Sequence, residues 1–304
     1  MKVITQDLGY PEGPIAMPDG SVLVLDIYDE ALKRVSPSGQ VTRIAALPGG
    51  PNGAALGPEG AVFVCNNGGT DWIDTGPGTR RTGPQSAGYR GGSIERVDLV
   101  TGRVETLYDA FEGVGLRSPN DLVFDGTGGF YFTDFGKRRA HEMDLGAVYW
   151  AKADGSEIRL LVSGMISPNG IALSPDGNSL YVAETYTGRI WMWSIEAPGQ
   201  LRKADWPASY GATLFASPGG IARFDGLAVA ASGAVYAAAL DMCAVLEFQG
   251  PLQAPRLHPL PDLLVTNLCF GGPDMRTCYA TLSHDARLVR FRVAEPGLVL
   301  HHAG

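Results

Sequence analysis

Glu12, Asn52, Asn120, Asn169 and Asp225 each stand eight residues before a glycine, namely Gly20, Gly60, Gly128, Gly177 and Gly233, and Asn267 stands the same distance before Met275. Two carboxylates and four amides at one recurring position form a set of oxygen donors. Brought to a common point, the carboxylates would repel each other and lose hydration, a double penalty that a cation removes. Oxygen ligands that mix amide carbonyls with carboxylates suit Ca2+, Mg2+ or Mn2+ better than Zn2+, which prefers His and Cys. The expectation is one divalent ion, Ca2+ first, with Mg2+, Mn2+, Zn2+ or Fe2+ as alternatives. The competing, structural reading is that Asn and Asp at strand starts merely cap turns.

What would bring the six together is a repeat. Each donor opens a copy of one pattern, an apolar stretch, a turn and a second apolar stretch, as in PNGIALSPDGNSLYVAE and PEGPIAMPDGSVLVLD. Each copy reads as a hairpin. A third strand is predicted over Ala31 to Val35, Ser93 to Val97, Ala147 to Trp150, Arg189 to Trp193, Ala244 to Phe248 and Arg287 to Phe291, and a fourth over Val104 to Tyr108 and Ile158 to Val162. Four short antiparallel strands per copy make a propeller blade. The spacing of the donors, about 40 to 70 residues, fits a blade period of about 40 to 50 with two insertions. The predicted fold is all-β: a six-bladed β-propeller with four-stranded antiparallel blades, one domain over residues 1–304, closed by Val3 to Leu8 as the last strand of the sixth blade. First strands line a propeller's channel, so the six donors converge on its axis.

Composition narrows the function classes. A chain of 304 residues with 45% hydrophobic and 18% charged residues can bury a sizeable core. Net charge −8, with no Lys/Arg cluster beyond Arg80-Arg81 and Lys137 to Arg139, argues against a nucleic-acid partner. No apolar leader and no run of about 18 apolar residues occurs, so no membrane association and a cytoplasmic location are expected. Cys65, Cys243, Cys269 and Cys278 lack CxxC spacing and read as buried structural thiols. GxSxG is absent, and the five histidines lack a recognisable nucleophile partner, which excludes a serine hydrolase. Two insertions, residues 66–91 with Trp72 and Tyr89 and residues 198–224 with Trp206, Tyr210 and Phe215, are expected to wall a pocket over the ion.

Glu12-Gly13-Pro14, Ser118-Pro119-Asn120-Asp121, Ser167-Pro168-Asn169-Gly170 and Phe224-Asp225-Gly226-Leu227, in this order on six blades, give a chain that resembles the regucalcin/gluconolactonase (senescence marker protein-like) family of metal-dependent lactonases over essentially its whole length. The resemblance implies Glu12, Asn120, Asn169 and Asp225 as metal ligands, with Asn52 and Asn267 as second-shell or water-holding groups, and favours Asp225 as the general base; Asp121 is a second candidate. It also implies a small lactone or ester substrate, its carbonyl polarised for attack by water. Sugar lactonases of that family carry a substrate-binding arginine two residues before the second-motif asparagine. Here Ser118 stands there, with Arg117 one residue earlier. That departure, together with the aromatic loops, points to a less polar lactone or aromatic ester. Asp134, Glu184, Tyr186 and His284, on loops of the metal face, are further candidates for substrate contact or support. A phosphotriesterase or arylesterase on the same site, as in diisopropyl fluorophosphatase, and a non-catalytic, metal-stabilised binding propeller are the alternatives.

Overall fold

In the computed structural model, which describes residues 1–302, six antiparallel sheets form the blades of a propeller. Blade 1 runs from the axis outward through Pro11–Ala16, Val22–Asp26, Ala31–Val35 and Val41–Ala46, and the third and fourth blades repeat that order from Pro119–Phe124 and Pro168–Leu173. Among the described residues, helix is confined to two 3-10 turns, Pro58–Gly60 and Ser209–Gly211. The outer strands lie where the sequence places them, for example Ser93–Val97, Val104–Tyr108 and Ala244–Phe248. Strand Lys2–Thr5 pairs antiparallel with Arg287–Arg292, so the first strand of the chain completes the sixth blade and closes the ring, leaving only short outer edges.

Second strands are buried along their whole length, as in Val22–Asp26 and Gly129–Asp134, or in all but one end residue, as in Ser179–Glu184, because a neighbouring blade covers each face. This explains why they read as continuous apolar runs. Phe63, Phe124 and Phe130 interlock edge to face between blades 2 and 3, with Phe63 centred 5.0 and 5.6 Å from the other two rings. Each such buried side chain contributes roughly 1.5–3 kcal/mol. Cys65 and Cys278 are buried, Cys243 and Cys269 are half-buried, and all four thiols are free.

The two insertions part ways. Residues 66–91 hold a hairpin, Thr70–Gly76 with Thr79–Gln85, that rises over the channel mouth. Residues 198–224, apart from Arg223 at the start of the next strand, do not wall the pocket as expected. Their strands Gln200–Arg202 and Thr213–Ala216 both pair with Arg189–Ala197, the third strand of blade 4, and so thicken its outer edge. Phe215 is buried against Tyr181 and Phe248, Tyr210 packs on Trp191, and Trp206 is 93% exposed.

Candidate metal centre

Every donor sits second or third in the first strand of its blade: Glu12 in Pro11–Ala16, Asn52 in Pro51–Leu56, Asn120 in Pro119–Phe124, Asn169 in Pro168–Leu173, Asp225 in Arg223–Val229 and Asn267 in Val265–Gly271. In five the register slips across or just after the donor, between Glu12 and Ile15 or Phe224 and Leu227, for example, and in the sixth it slips just before Asn267. Such a bulge re-aims one side chain without ending the strand. The glycine after four of the donors has a steric reason. A Cβ on Gly13 would lie 2.5 Å from the Asn52 carbonyl oxygen, and one on Gly53 2.5 Å from that of Asn120. Adjacent first strands thus touch around the axis, which holds the donors close.

Hydroxyls at the ends of second strands latch blade to blade. Thr133 Oγ1 donates to the Asn169 carbonyl at 2.6 Å, Thr185 Oγ1 to that of Phe224 at 2.7 Å, and Ser283 Oγ to that of Pro11 at 2.5 Å. Thr185 has spent its proton, so it accepts from Asn169 Nδ2 at 3.0 Å. That contact orients the amide and leaves its oxygen end for a cation. Acids and an amide at the same strand ends clamp the chain just before four of the donors: Asp26 accepts from Gly9 and Tyr10, Asn66 from Gly50, and Glu184 from Ile166. Asp134 takes the N–H groups of Arg117, Ser118 and Gly136 at 2.7, 2.7 and 3.1 Å, so its oxygens are committed to the loop that carries Asn120. Asp134→Ala is expected to cost about 2–4 kcal/mol of stability, since buried donors are left unpaired, and to lower turnover with it; denaturant midpoints and steady-state rates check both.

Glu12, Asn52, Asn120, Asn169 and Asp225 line the floor of a cavity of about 710 Å³ on one face. Asn267 and Asp121 line instead a channel of about 110 Å³ behind the donors, where the Asn267 amide bonds the Glu12 carboxylate from behind. Asn267 Oδ1 accepts from Leu268 N–H at 2.7 Å, and Asp121 Oδ1 from Leu122 N–H at 2.9 Å. Burial pushes the Glu12 carboxyl up to about 7 and that of Asp121 up to about 8. Burial first, then the like charge of Glu12, hold Asp225 well above the usual carboxylate range. Among the described residues no group of three or more His, Cys, Asp or Glu side chains gathers, so a centre here is two carboxylates completed by amides. Two buried carboxylates that resist ionisation for want of positive charge, beside an amide turned oxygen-first, are a donor set that fits a divalent ion.

Of the other candidates, Ser118, Tyr186 and His284 line the cavity; Tyr186 lies edge-on to Phe135, and His284 bridges Thr75 and Asp285. Arg117 is exposed and outside the lining residues. The aromatics expected from the two insertions are absent from that lining: Trp72 packs on Tyr10 and Tyr28, away from the opening. Beside Tyr10, Phe135 and Tyr186 the lining carries Arg81, Thr82, Lys137 and Arg138, so one part of the wall is polar and basic, against the less polar substrate the loops suggest. Tyr10 and Arg223 were not singled out in the sequence, yet both line the cavity. The signal was periodic, because they precede Glu12 and Asp225 by two residues as Ser118 precedes Asn120. Burial, then the charges of Asp225 and Glu12, keep the Tyr10 phenol protonated, while Arg223 is paired with Asp241 at 2.5 and 2.6 Å.

A sequence profile described as SMP-30/Gluconolactonase/LRE-like region matches residues 10–284. The chain is 27% identical to a gluconolactonase of Zymomonas mobilis over 95% of its own length and 81% of that protein's. It is 30% identical to lactonase drp35 of Staphylococcus epidermidis over 60% of its length, a match that spans half (50%) of that relative. Its fold superposes on a calcium-binding regucalcin from Agrobacterium tumefaciens with TM-score 0.75 at 19% identity, covering 98% of this chain and 97% of the other. With nearly the whole ring inside the matched region, the chain belongs to the SMP-30/gluconolactonase/LRE-like family.

Proposed function

We propose that the protein is a metal-dependent hydrolase of a lactone or related small ester. The observation that carries this reading is the pair of buried, ionisation-resistant carboxylates, Glu12 and Asp225, set beside Asn120 and Asn169 on the floor of a cavity of substrate size. The names of the lactone-hydrolysing relatives support it. In this reading Glu12, Asn120, Asn169 and Asp225 hold the ion, Ca2+ first. When bound, such an ion polarises the scissile carbonyl and stabilises the charge that develops on its oxygen.

The chain's own residues supply the rest. Asp225 accepts the proton of the attacking water. Tyr10, kept neutral, offers a phenol O–H beside it to orient water or the ring oxygen. Asn52, on the same floor, holds a water. Asp121 and Asn267, behind the donors, fix the first strands against one another and do not meet substrate. A cytoplasmic location is part of the proposal and is supported by the four free thiols. Among the described residues no helix is long and apolar enough to cross a membrane.

The test offers lactones, aryl esters and phosphotriesters side by side. Lactone turnover that EDTA removes and added Ca2+ restores is the expected result. Turnover that survives chelation, or a preference for phosphotriesters, would overturn the reading.

A further inference from the structure

We propose that Arg81, Lys137 and Arg138 form an anion-binding subsite in the cavity wall, which selects lactones carrying an anionic substituent, a carboxylate or a phosphate, remote from the scissile ester. The proposal rests on the lactonase reading above.

Lys137 is only 6% exposed and lines the cavity. Its Nζ donates to Asn67 Oδ1 at 3.2 Å and to the Gly69 carbonyl at 2.8 Å, and it stands 5.0 Å from the centroid of the Tyr89 ring. All three partners are neutral. The acids whose charge it feels are already engaged: Asp134 by backbone N–H groups and Asp144 by Arg139. A buried ammonium with no carboxylate in direct contact is costly, and burial, only partly offset by the more distant Asp134 and Asp144, pushes this one down to about 8.

Arg81, on the strand Thr79–Gln85, and Arg138, beside Lys137, are exposed to the cavity, and among the described residues neither forms an ion pair. Hairpin and loop are stitched by Gln85 N–H to the Arg138 carbonyl at 2.8 Å and by the Arg139 guanidinium to Gln85 Oε1 at 3.2 Å. The other lining charges cancel, since Arg223 binds Asp241 and the Glu12–Asp225 pair matches a divalent ion. Three cations with no ion-pair contact among the described residues thus face one cavity in a chain of net charge −8. A guanidinium or ammonium group holds a carboxylate or phosphate by charge-assisted hydrogen bonds, and the field of three focuses anions into the cleft.

Three probes differ at one position: glucono-δ-lactone with a terminal hydroxymethyl, a glucarolactone with a terminal carboxylate, and 6-phosphogluconolactone with a phosphate ester. One of the charged pair is expected to exceed the neutral lactone in kcat/KM by roughly tenfold, and which one does identifies the anion. Arg81→Gln and Arg138→Gln, at exposed positions that the fold tolerates, are each expected to cut that ratio by roughly fivefold or more, and Lys137→Met to cut it further. Equal rates for charged and neutral lactones, or a ratio unchanged in the two arginine variants, overturns the subsite and leaves the lactonase reading standing. If none of the three is hydrolysed, the lactonase reading fails instead. Calorimetric titration of glucarate into the Ca2+-loaded protein then decides: weaker binding by the Arg81→Gln/Arg138→Gln double variant upholds the subsite, and equal binding overturns it.

Discussion

Asp225→Asn is expected to lower lactone turnover by roughly a thousandfold while the propeller stays folded. The exchange keeps the shape of the side chain and one oxygen ligand, yet it removes both the charge and the proton acceptor. The Asn169 amide and the Arg223 guanidinium, which favour the charged form of Asp225, face a neutral amide instead. Repulsion with Glu12 also disappears, so without metal the variant should be more stable than the parent protein. Elemental analysis should show reduced calcium, and circular dichroism an unchanged sheet. Asp121→Asn serves as the contrast, since that carboxylate faces the narrow channel behind the donors and its loss should cost less than tenfold in turnover. Near-normal rates for Asp225→Asn, or equal losses for the two variants, would remove Asp225 from the chemistry.

How much of this was legible before any coordinates differs by level. The blades were legible because a hairpin advertises itself twice, through two apolar runs and the turn between them, and six copies reinforce one another. The donors were legible for the same reason. Spacing could not set Asn267 apart from the five that line the large cavity, because all six hold the same motif position and only the assembled ring shows which cavity each one lines. Insertion 198–224 was misread because loop length and aromatic content do not reveal which edge of a blade a segment will pair with; hydrogen bonding to Arg189–Ala197 took it outward. Lys137 was passed over as one residue of a basic triplet. Its burial depends on Asn67 and Gly69, about seventy positions away, a contact that no local pattern encodes.

Stripped of metal, the protein is expected to lose stability as the pH rises from about 5 to about 8. Glu12 moves from 4.5 to about 7 and Asp121 from 3.8 to about 8 on folding, and Asp225 moves in the same direction, chiefly through burial. Each folded-state value lies above the unfolded one, so within this window the folded chain binds more protons than the unfolded chain. Stability therefore falls as pH rises. Below the unfolded values both states are protonated and no penalty exists; above about 8 the shares of Glu12 and Asp121 are complete. Glu12 alone corresponds to about 3 kcal/mol at about 1.4 kcal/mol per pKa unit. Acids held low in the fold, such as Asp26 beside Lys33, titrate below this window and do not mask the slope. Bound Ca2+ would hold Glu12 and Asp225 ionised at every pH in the range, which flattens their contribution and makes calcium binding tighten as protons leave. Urea melts at pH 5 and pH 8, with EDTA and with Ca2+, read this directly: the two curves should nearly meet at pH 5 and separate by several kcal/mol at pH 8. Parallel curves would mean that the ion does not meet these carboxylates, and the donor ring would then be a set of turn caps.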